Sequence, residues 1–337
     1  MKFRISKLRI VNSGPIDDIL IDFTNSATGE PLNSCLIAGA NGSGKTTVCE
    51  LLYETMGLFA LCNTDVNSIH KKVEYVQLDL IITEENEITN LSIFYGNRPN
   101  NVIIEKEYLG FDFQTGKDER SEKARQLHRR THDIEDAIVN CPLEINKEAF
   151  VEKNIPILIY LPYYRILEQI PDEDRSIHNE NIHSKLTYKY SNTKKFKGSF
   201  ESYLIWLEYS RKEEFDSIIG YLNLLFDKQK SFATNRNIPA VEVILNSGTK
   251  HRIHELSSGE QNILIMLSEI RRRLDRKGCI ILIDEIENSL HPAMQNLLLN
   301  GIKILQDNTD SQFIFTTHSE ELFKRFDAQH TRILTAF

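Results

Sequence analysis

The residues best suited to chemistry in the first part of the chain form a glycine-rich run, GANGSGKT, at positions 39–46. Glycines let the backbone wrap closely around phosphate groups, because no Cβ atom intervenes, and successive backbone N–H groups can then bind the anion. The spacing matches the phosphate-binding pattern G-x-x-x-x-G-K-[ST], which requires a preceding strand and a following helix. The residues predicted to contact a nucleotide here are Gly39, Asn41, Gly42, Ser43, Gly44, Lys45, Thr46 and Thr47.

Two side chains at the end of this run have separate predicted roles. Lys45 supplies a positive charge for the β- and γ-phosphates, and the Thr46 hydroxyl is expected to bind Mg²⁺. The alternative is a glycine turn before a helix with no ligand, but chance rarely supplies the full pattern in its correct context. The run therefore predicts ATP and Mg²⁺ as cofactors.

A second candidate for chemistry is the apolar run CIILI at 279–283, which ends in Asp284 and Glu285. Such a run is typical of a strand that is buried on both faces and presents acids at its carboxyl end. Because side chains alternate along a strand, the two carboxylates cannot have the same aim. We predict that Asp284 binds the metal ion and that Glu285 is the catalytic residue that orients the attacking water. Taken alone, the run is also compatible with a strand that ends in a solvated acidic turn.

Hydrophobic periodicity predicts the elements that position these motifs. Apolar residues at helical spacing follow the glycine-rich run from Val48 to Met56, and Gly57 is the predicted end of this helix. Alternating and β-branched residues then favour an antiparallel sheet beside the nucleotide-binding part. The strands predicted in this first part of the chain are 3–11, 18–23, 33–38, 73–83, 89–95 and 102–108.

The second part of the chain alternates between strands and helices, which is typical of a mainly parallel sheet with crossover helices. We expect a charged helical region at 117–153, a buried strand within 155–164, a polar, mobile surface segment at 171–198 and helices within 200–227. Strands at 239–245, 279–284 and 312–316 and helices at 258–275, 292–306 and from 319 follow. The predicted α/β fold has an N-terminal lobe (1–116), a helical and polar insertion (117–237) and a C-terminal lobe (238–337).

The segment LSSGEQ at 256–261 opens the predicted helix 258–275. Its spacing favours an S-x-x-Q capping box formed by Ser258 and Gln261. The segment also resembles the L-S-G-G-[QE] signature of ABC-type ATPases, with Ser258 in place of the first glycine. In that family the signature reaches the nucleotide held by the opposite subunit, so the resemblance implies nucleotide contacts from Ser257, Ser258, Gly259 and Glu260.

Two later motifs follow in the order found in this family. The segment ENSLHP at 287–292 takes the position of the D-loop and resembles the version in RecF-like, OLD-family and defence-associated ATPases. His318 takes the position of the switch histidine, which implies a catalytic contact with the γ-phosphate, although a lone histidine at a strand end is more often structural. The resemblance implies a P-loop NTPase of the ABC-ATPase head type, with a mixed or parallel central sheet, an antiparallel β lobe and a helical insertion. No glutamine is assigned to the Q-loop.

Spacing discriminates among members of this large group. Thr46 and Leu256 are 210 positions apart, farther than the compact helical subdomain of transporter subunits allows, and only 19 residues follow His318, too few for a Toprim nuclease domain. Sustained heptads, and hence coiled-coil arms, are absent from the sequence. The chain resembles stand-alone ATPases of the RecF/OLD/SMC-like group, including those that act with a separate nuclease or toxin in prokaryotic anti-phage defence. The resemblance implies an ATP-hydrolysing homodimer that gates such an effector, with a higher oligomer left open. The alternatives are a RecF-like DNA-repair or DNA-binding ATPase and a non-enzymatic nucleotide-dependent scaffold.

The amino-acid composition limits the classes of partner and the cellular locations that are expected. Hydrophobic residues make up 41% and charged residues 26% of the chain, as in ordinary globular proteins, and a net charge of −8 argues against a wholly basic nucleic-acid coat. The five cysteines form no C-x-x-C pair, which favours buried, reduced thiols, and no apolar run approaches the length of a membrane span; a cytoplasmic location is expected. Lysines alternate with aromatic residues at 185–197, a composition compatible either with nucleic-acid contact or with a solvated loop.

Overall fold

The computed structural model describes residues 1–60, 69, 71–85, 87–139, 156–167, 169–178, 186–192, 195–226, 230–235, 237–273 and 278–335. In chain order its strands are β1 (Lys2–Ser13), β2 (Ile16–Asp22), β3 (Ser34–Gly39), β4 (Tyr75–Glu84), β5 (Glu87–Gly96), β6 (Glu107–Asp112), β7 (Lys117–Arg120), β8 (Leu158–Leu161), β9 (Thr187–Lys189), β10 (Lys230–Asn235), β11 (Ala240–Leu245), β12 (Lys250–Arg252), β13 (Ile280–Ile283), β14 (Gln312–Thr317) and β15 (Thr331–Leu334). Its α-helices are α1 (Lys45–Ala60), α2 (Glu122–Val139), α3 (Phe200–Ser210), α4 (Lys212–Leu225), α5 (Ser258–Arg271), α6 (Pro292–Thr309) and α7 (Glu320–Phe323).

The central sheet has the strand order β15-β3-β14-β13-β8-β9, and all of its neighbouring strands run parallel. The predicted parallel core is therefore confirmed. Strand β3 leads into the glycine-rich run, β13 ends before the two acids, and β14 ends beside His318. Since β14 lies between β3 and β13, the carboxyl ends of these three strands bring all three motifs to one edge of the sheet.

The central sheet is covered on both faces, which explains why its strands read as continuous apolar runs. In β13, Ile281 and Ile283 pack with residues of α3, α4, α5 and α6. Ile280 and Leu282 point to the opposite face, where they pack with α1 and the antiparallel sheet. Helix α1, which begins in the glycine-rich run, is thus enclosed between the two sheets.

The predicted antiparallel lobe is also confirmed, as a sheet with the order β2-β1-β4-β5-β6-β7. Its neighbouring strands are antiparallel except for β5 and β6, which run parallel. A separate antiparallel sheet, β10-β11-β12, lies before the signature segment (residues 256–261) in the chain.

Three predictions in and beside the lobe were wrong in detail. Helix α1 continues through Gly57 to Ala60, because the buried Leu58 and Phe59 offset a glycine penalty of about 1 kcal/mol. The last lobe strands are β6 and β7 rather than a strand at 102–108 followed by helix from 117; Gly116, with φ of +63°, permits the turn that joins them. Helix α2 begins only at Glu122, and the rest of the predicted helical region, beyond Val139, lies outside the described residues.

The segment 171–198 is not a purely polar surface in its described part. Strand β9 adds to the edge of the central sheet, and Tyr190 and Phe196 are buried in the core. Strands β8 and β9 come from the region predicted as an insertion, yet they complete the central sheet. The proposed domain boundaries at 116 and 237 stay a prediction.

Two sequence-based expectations concern cysteines and membranes. Cys35, Cys49 and Cys279 are buried free thiols, as predicted, whereas Cys62 and Cys141 lie outside the described residues. Burial raises the pKa of the Cys49 thiol well above its usual value, and the nearby Asp284 and Glu50 raise it further. Within the described residues, every helix is too short or too polar to cross a bilayer.

One buried side chain links the two large sheets. The Gln312 amide, at the start of β14, donates 3.0 Å hydrogen bonds to the carbonyls of Ile5 and Leu32 and accepts a 2.7 Å bond from the Ile5 N–H. The contact falls where β1 shifts register against β4 between Ile5 and Lys7, which makes Ser6 the extra residue of a bulge. Gln312 therefore satisfies backbone groups that the bulge removes from the strand ladder.

We expect Gln312→Met to lower the free energy of unfolding by roughly 1–3 kcal/mol, because the buried Ile5 N–H loses its partner. The measurement is urea unfolding of the purified chain. Gln329→Met, the same change at an exposed position, is the matched control and is expected to change stability by less than about 0.5 kcal/mol. Equal unfolding midpoints for the two variants would contradict the assignment.

Candidate nucleotide site

The three motif-bearing strand ends surround an open cavity of about 490 Å³. The cavity combines backbone of the glycine-rich run with one lysine, one carboxylate and one imidazole. Its lining residues are Pro15, Asn41, Gly42, Gly44, Lys45, Thr46, Thr47, Glu285 and His318. The structure thus brings together most of the residues predicted from the first motif with both predicted catalytic residues. Pro15, from the turn after β1, also lines the cavity and was not predicted as a site residue from the sequence.

The conformation of the glycine-rich run depends on glycine at its end. Gly44 has a φ of +95°, and a Cβ there would lie 2.8 Å from the side chain of Ile16. Lys45 is buried and donates 2.8 Å hydrogen bonds to the carbonyls of Gly39 and Ala40. The ammonium group is consequently held across the mouth of the loop, at the amino end of α1, where the helix dipole also favours an anion.

Asp284 is fully buried and is bound from two sides. Its Oδ2 accepts a 2.8 Å hydrogen bond from the Thr46 hydroxyl, and its Oδ1 accepts a 2.5 Å bond from the Thr316 hydroxyl. The Thr316 oxygen also accepts a 2.8 Å bond from the N–H of Glu285. Thr316, near the end of β14, therefore fixes the positions of both Asp284 and Glu285. No motif in the sequence predicted this role.

Glu285, two residues after the end of β13, adopts a left-handed backbone conformation with φ of +47°. Such a conformation is uncommon for a residue with a Cβ atom and costs free energy that the surroundings must offset. It ends the strand ladder and places the Glu285 side chain in the cavity lining, while Asp284 stays buried. Residues 284–289, called the acidic turn below, then lead toward α6.

Arg165 supports the acidic turn from beneath. The guanidinium donates to the carbonyls of Asp284 (2.8 Å) and Glu285 (2.9 Å), and it is almost completely buried. Burial lowers the pKa of Arg165 to about 10, while the nearby carboxylates of Asp284 and Glu285 act in the opposite direction. No pattern in the sequence identified this role of Arg165, because its acceptors lie far away in the chain.

The site fits a nucleoside triphosphate with Mg²⁺. The Ser43 hydroxyl is buried in the loop without a hydrogen-bond partner among the described residues, as expected of a group that awaits a polar ligand. The Thr46 and Asp284 oxygens, 2.8 Å apart, are the hard oxygen donors that Mg²⁺ prefers. The Lys45 ammonium group offers the positive charge that phosphate groups require.

His318 stands at the rim of the cavity and is oriented by Glu287, which the sequence reasoning did not single out. The buried Glu287 carboxylate accepts a 2.7 Å hydrogen bond from the backbone N–H of His318, and its Oε1 lies 3.2 Å from Nδ1 of the same residue. This double contact fixes the position of the ring. The i, i+2 spacing of Glu285 and Glu287 around the acidic turn was the available signal.

The signature segment lies outside the lining of this cavity. Its capping box is formed by Ser257 and Glu260, not by Ser258 and Gln261 as predicted, because Ser257 has extended dihedral angles and Ser258 is already helical. The Gln261 amide instead donates to the carbonyls of His254 and Leu256. Gly259 is required by packing, since a Cβ there would lie 2.8 Å from the Ser289 carbonyl oxygen of the acidic turn.

Other candidate residues have structural roles. His291 caps α6, where its Nδ1 accepts a hydrogen bond from the N–H of Ala293. In the 185–197 segment, Tyr190 and Phe196 are buried and the Arg273 guanidinium lies over the ring of Tyr188, so these rings do not offer free faces for base stacking. Lys185 and Lys194 of this segment lie outside the described residues.

Comparison with known proteins agrees with this geometry. A family model described as "AAA domain, putative AbiEii toxin, Type IV TA system" matches residues 36–324, which include the glycine-rich run, the acidic turn and His318. The chain belongs to this family. The predicted recognition as an AAA-type P-loop ATPase is confirmed at the level of this family.

Individual relatives are distant. The "Retron Vc95 probable ATPase" of Vibrio cholerae serotype O1 biovar El Tor is 21% identical over 373 aligned residues, covering 91% of this chain and 70% of the relative. The SMC head domain from Thermotoga maritima is 13% identical with a TM-score of 0.45, covering 96% of this chain and 92% of that chain. An SMC head bound to the C-terminal winged-helix domain of ScpA is 15% identical with a TM-score of 0.49, covering 96% and 93%. The fold assignment rests on strand order and site geometry rather than on these two low scores.

We expect Lys45→Ala to abolish ATP binding, because the phosphates lose their fixed countercharge, and Glu285→Gln to keep binding but lower hydrolysis by at least about 100-fold. Binding of a fluorescent ATP analogue and release of inorganic phosphate measure the two effects separately. Lys197→Ala, at an exposed lysine outside the cavity, is the control and should match the wild type in both. Unchanged ATP affinity in Lys45→Ala would refute the assignment of the loop.

Proposed function

We propose that this chain binds ATP with Mg²⁺, hydrolyses it, and uses the nucleotide-dependent pairing of two copies to control a separate effector protein. The observation that carries the proposal is the convergence of Lys45, the Thr46–Asp284 pair and Glu285 on one cavity. A phosphate loop alone would support binding, whereas a second carboxylate beside the metal-binding pair supports hydrolysis.

The residues divide the work of phosphoryl transfer. Backbone N–H groups of the loop and Lys45 bind the β- and γ-phosphates, and Thr46 and Asp284 would hold Mg²⁺. The metal ion, when bound, neutralises charge on the phosphate oxygens. Glu285 accepts a hydrogen bond from the attacking water and orients it, and His318, held by Glu287, contacts the terminal phosphate from the rim.

The signature segment supports pairing of two copies. It begins a 14-residue helix whose first turn has exposed Ser257 and Ser258, so its N-terminal N–H groups and dipole face outward and favour an anion. The segment does not line the chain's own cavity. A second copy related by two-fold symmetry would supply its γ-phosphate, and each nucleotide would then be enclosed by the loop of one subunit and the signature of the other.

ATP should convert the Glu285→Gln variant from monomer to dimer, since hydrolysis no longer separates the subunits. Light scattering at fixed protein concentration measures the change in mass. Neither Lys45→Ala nor Ser257→Arg should be active alone, but their mixture should recover about a quarter of wild-type turnover, because half of the dimers are mixed and each has one complete site. An unchanged mass together with an inactive mixture would overturn the pairing proposal.

Two observations support the proposed effector role: the name of one relative and the set of metal-ligating side chains among the described residues. The Vibrio cholerae relative is the probable ATPase of a retron, which is consistent with an anti-phage context. Among the described residues, no further group of three or more histidine, cysteine or acidic side chains could hold a catalytic metal ion. We therefore assign the chain the ATP-dependent switch and a separate nuclease or toxin the damaging chemistry, and place both in the cytoplasm.

We expect the purified chain to leave DNA and RNA intact, and phage protection, scored by plaque counts, to require both Lys45 and a neighbouring gene. Protection by the chain with every neighbouring gene deleted would overturn the effector role. Nuclease activity of the purified chain that persists in Lys45→Ala would overturn it as well. ATP-dependent binding to DNA ends or gaps without any partner would instead favour the DNA-repair alternative.

A further inference from the structure

A buried arginine connects the acidic turn to the signature helix. Arg165 follows β8, the neighbour of β13, and its guanidinium reaches under the carboxyl end of β13. All three of its nitrogens donate hydrogen bonds: Nε to Asn262 Oδ1 at 2.7 Å, Nη1 to the carbonyls of Pro162 (2.7 Å) and Asp284 (2.8 Å), and Nη2 to the Glu285 carbonyl at 2.9 Å.

The acceptors on the acidic turn are backbone carbonyls, so Arg165 fixes the course of the chain rather than a side chain. The two carbonyls flank the left-handed Glu285, whose φ of +47° must be held by its surroundings. A lysine could not replace these contacts, because one ammonium group cannot match the planar fork that spans both carbonyls and Asn262.

Asn262 carries the connection onward. It is buried in the second turn of α5, five residues after the N-cap Ser257. Its side-chain oxygen accepts from Arg165, and its side-chain nitrogen donates to the carbonyl of Asn288 in the acidic turn. The side-chain amide of Asn288 in turn donates a 2.8 Å hydrogen bond to the backbone carbonyl of Tyr163. The acidic turn, the end of β8 and the signature helix therefore form one hydrogen-bonded unit.

Burying an arginine at this position costs free energy, which packing alone does not explain. Its hydrogen-bond acceptors in the described residues are neutral groups, and a buried cation without a carboxylate in direct contact is unfavourable compared with an apolar side chain of similar volume. What the arginine provides and an apolar side chain cannot is a fixed geometry between the acidic turn and α5.

We propose that Arg165 is a positioning residue that holds Glu285 in its catalytic orientation and, through Asn262, makes the acidic turn and the signature helix of the same subunit move together. The inference rests on the proposed hydrolysis and pairing. In a symmetric pair, the acidic turn serves one nucleotide and the signature helix serves the other, so this link couples the two sites. Hydrolysis at one site thereby changes the affinity for the nucleotide at the other site.

The experiment compares Arg165→Lys and Asn262→Ala with the wild type. We expect Arg165→Lys to bind a fluorescent ATP analogue within about twofold of wild type, since Lys45 and Thr46 are untouched, while kcat falls at least about tenfold. Asn262→Ala keeps the arginine contacts to the acidic turn, so it should retain more of kcat but lose cooperativity, with the Hill coefficient for ATP falling to about 1.

Hydrogen–deuterium exchange supplies a readout that does not depend on turnover. In the Glu285→Gln background, ATP should protect peptides covering both 256–262 and 284–289 in the chain with Arg165, but the two responses should separate in Arg165→Lys and in Asn262→Ala. Arg175→Lys is the matched control: Arg175 is also buried but pairs with Glu201 at 2.8 Å, away from the cavity, and its loss should lower stability without changing kcat or cooperativity.

Different results would contradict the proposed ATP hydrolysis and the proposed role of Arg165. A wild-type chain that hydrolyses no ATP would overturn the proposed function itself. Normal hydrolysis with unchanged kcat, Hill coefficient and exchange pattern in both variants would overturn the role of Arg165 alone. Should Arg165→Lys fail to fold, Asn262→Ala still decides: retained cooperativity and coupled protection would overturn the link.

Discussion

Two adjacent carboxylates, Asp284 and Glu285, stand at the end of a strand that is buried on both faces, and the rest of the site depends on holding them apart. Burying a carboxylate is expensive unless hydrogen bonds compensate it, and Asp284 receives them from Thr46 and Thr316. The left-handed backbone at Glu285 turns the second carboxylate into the cavity. Asp284 is thereby held beside Thr46, and the Glu285 side chain is left facing the cavity.

This constraint explains why three neighbouring strands carry the three motifs. Thr46 comes with the loop after β3, Thr316 from β14 and the acids from β13, so the hydrogen bonds around Asp284 also fix the alignment of these strands. The same edge of the sheet gathers Arg165 from β8. A parallel sheet suits such a site, because every strand delivers its carboxyl end to one side.

The antiparallel lobe contributes support rather than chemistry. It encloses α1 from the face opposite to α5 and α6, and Gln312 ties its bulged first strand to the central sheet. A helix held between two sheets has little freedom to shift, which keeps Lys45 and Thr46 fixed relative to Asp284. Nucleotide-dependent motion is therefore expected in the signature helix and in the part of the acidic turn beyond Asp284, where Ser257, Ser258 and Ser289 are exposed.

The sequence by itself determined the local chemistry: the glycine-rich run, the apolar strand before the two acids, the alternation typical of a parallel sheet, and the order of the motifs. These features are encoded in residues close together in the chain, where periodicity and spacing are informative. Only the tertiary structure decided the roles of Thr316, Glu287, Arg165 and Gln312, the extra strand β9 and the capping box at Ser257. Arg165 and Asp284 are 119 positions apart and Gln312 and Ile5 are 307 apart, and hydrogen bonds across such distances follow no sequence period because folding alone brings the partners together.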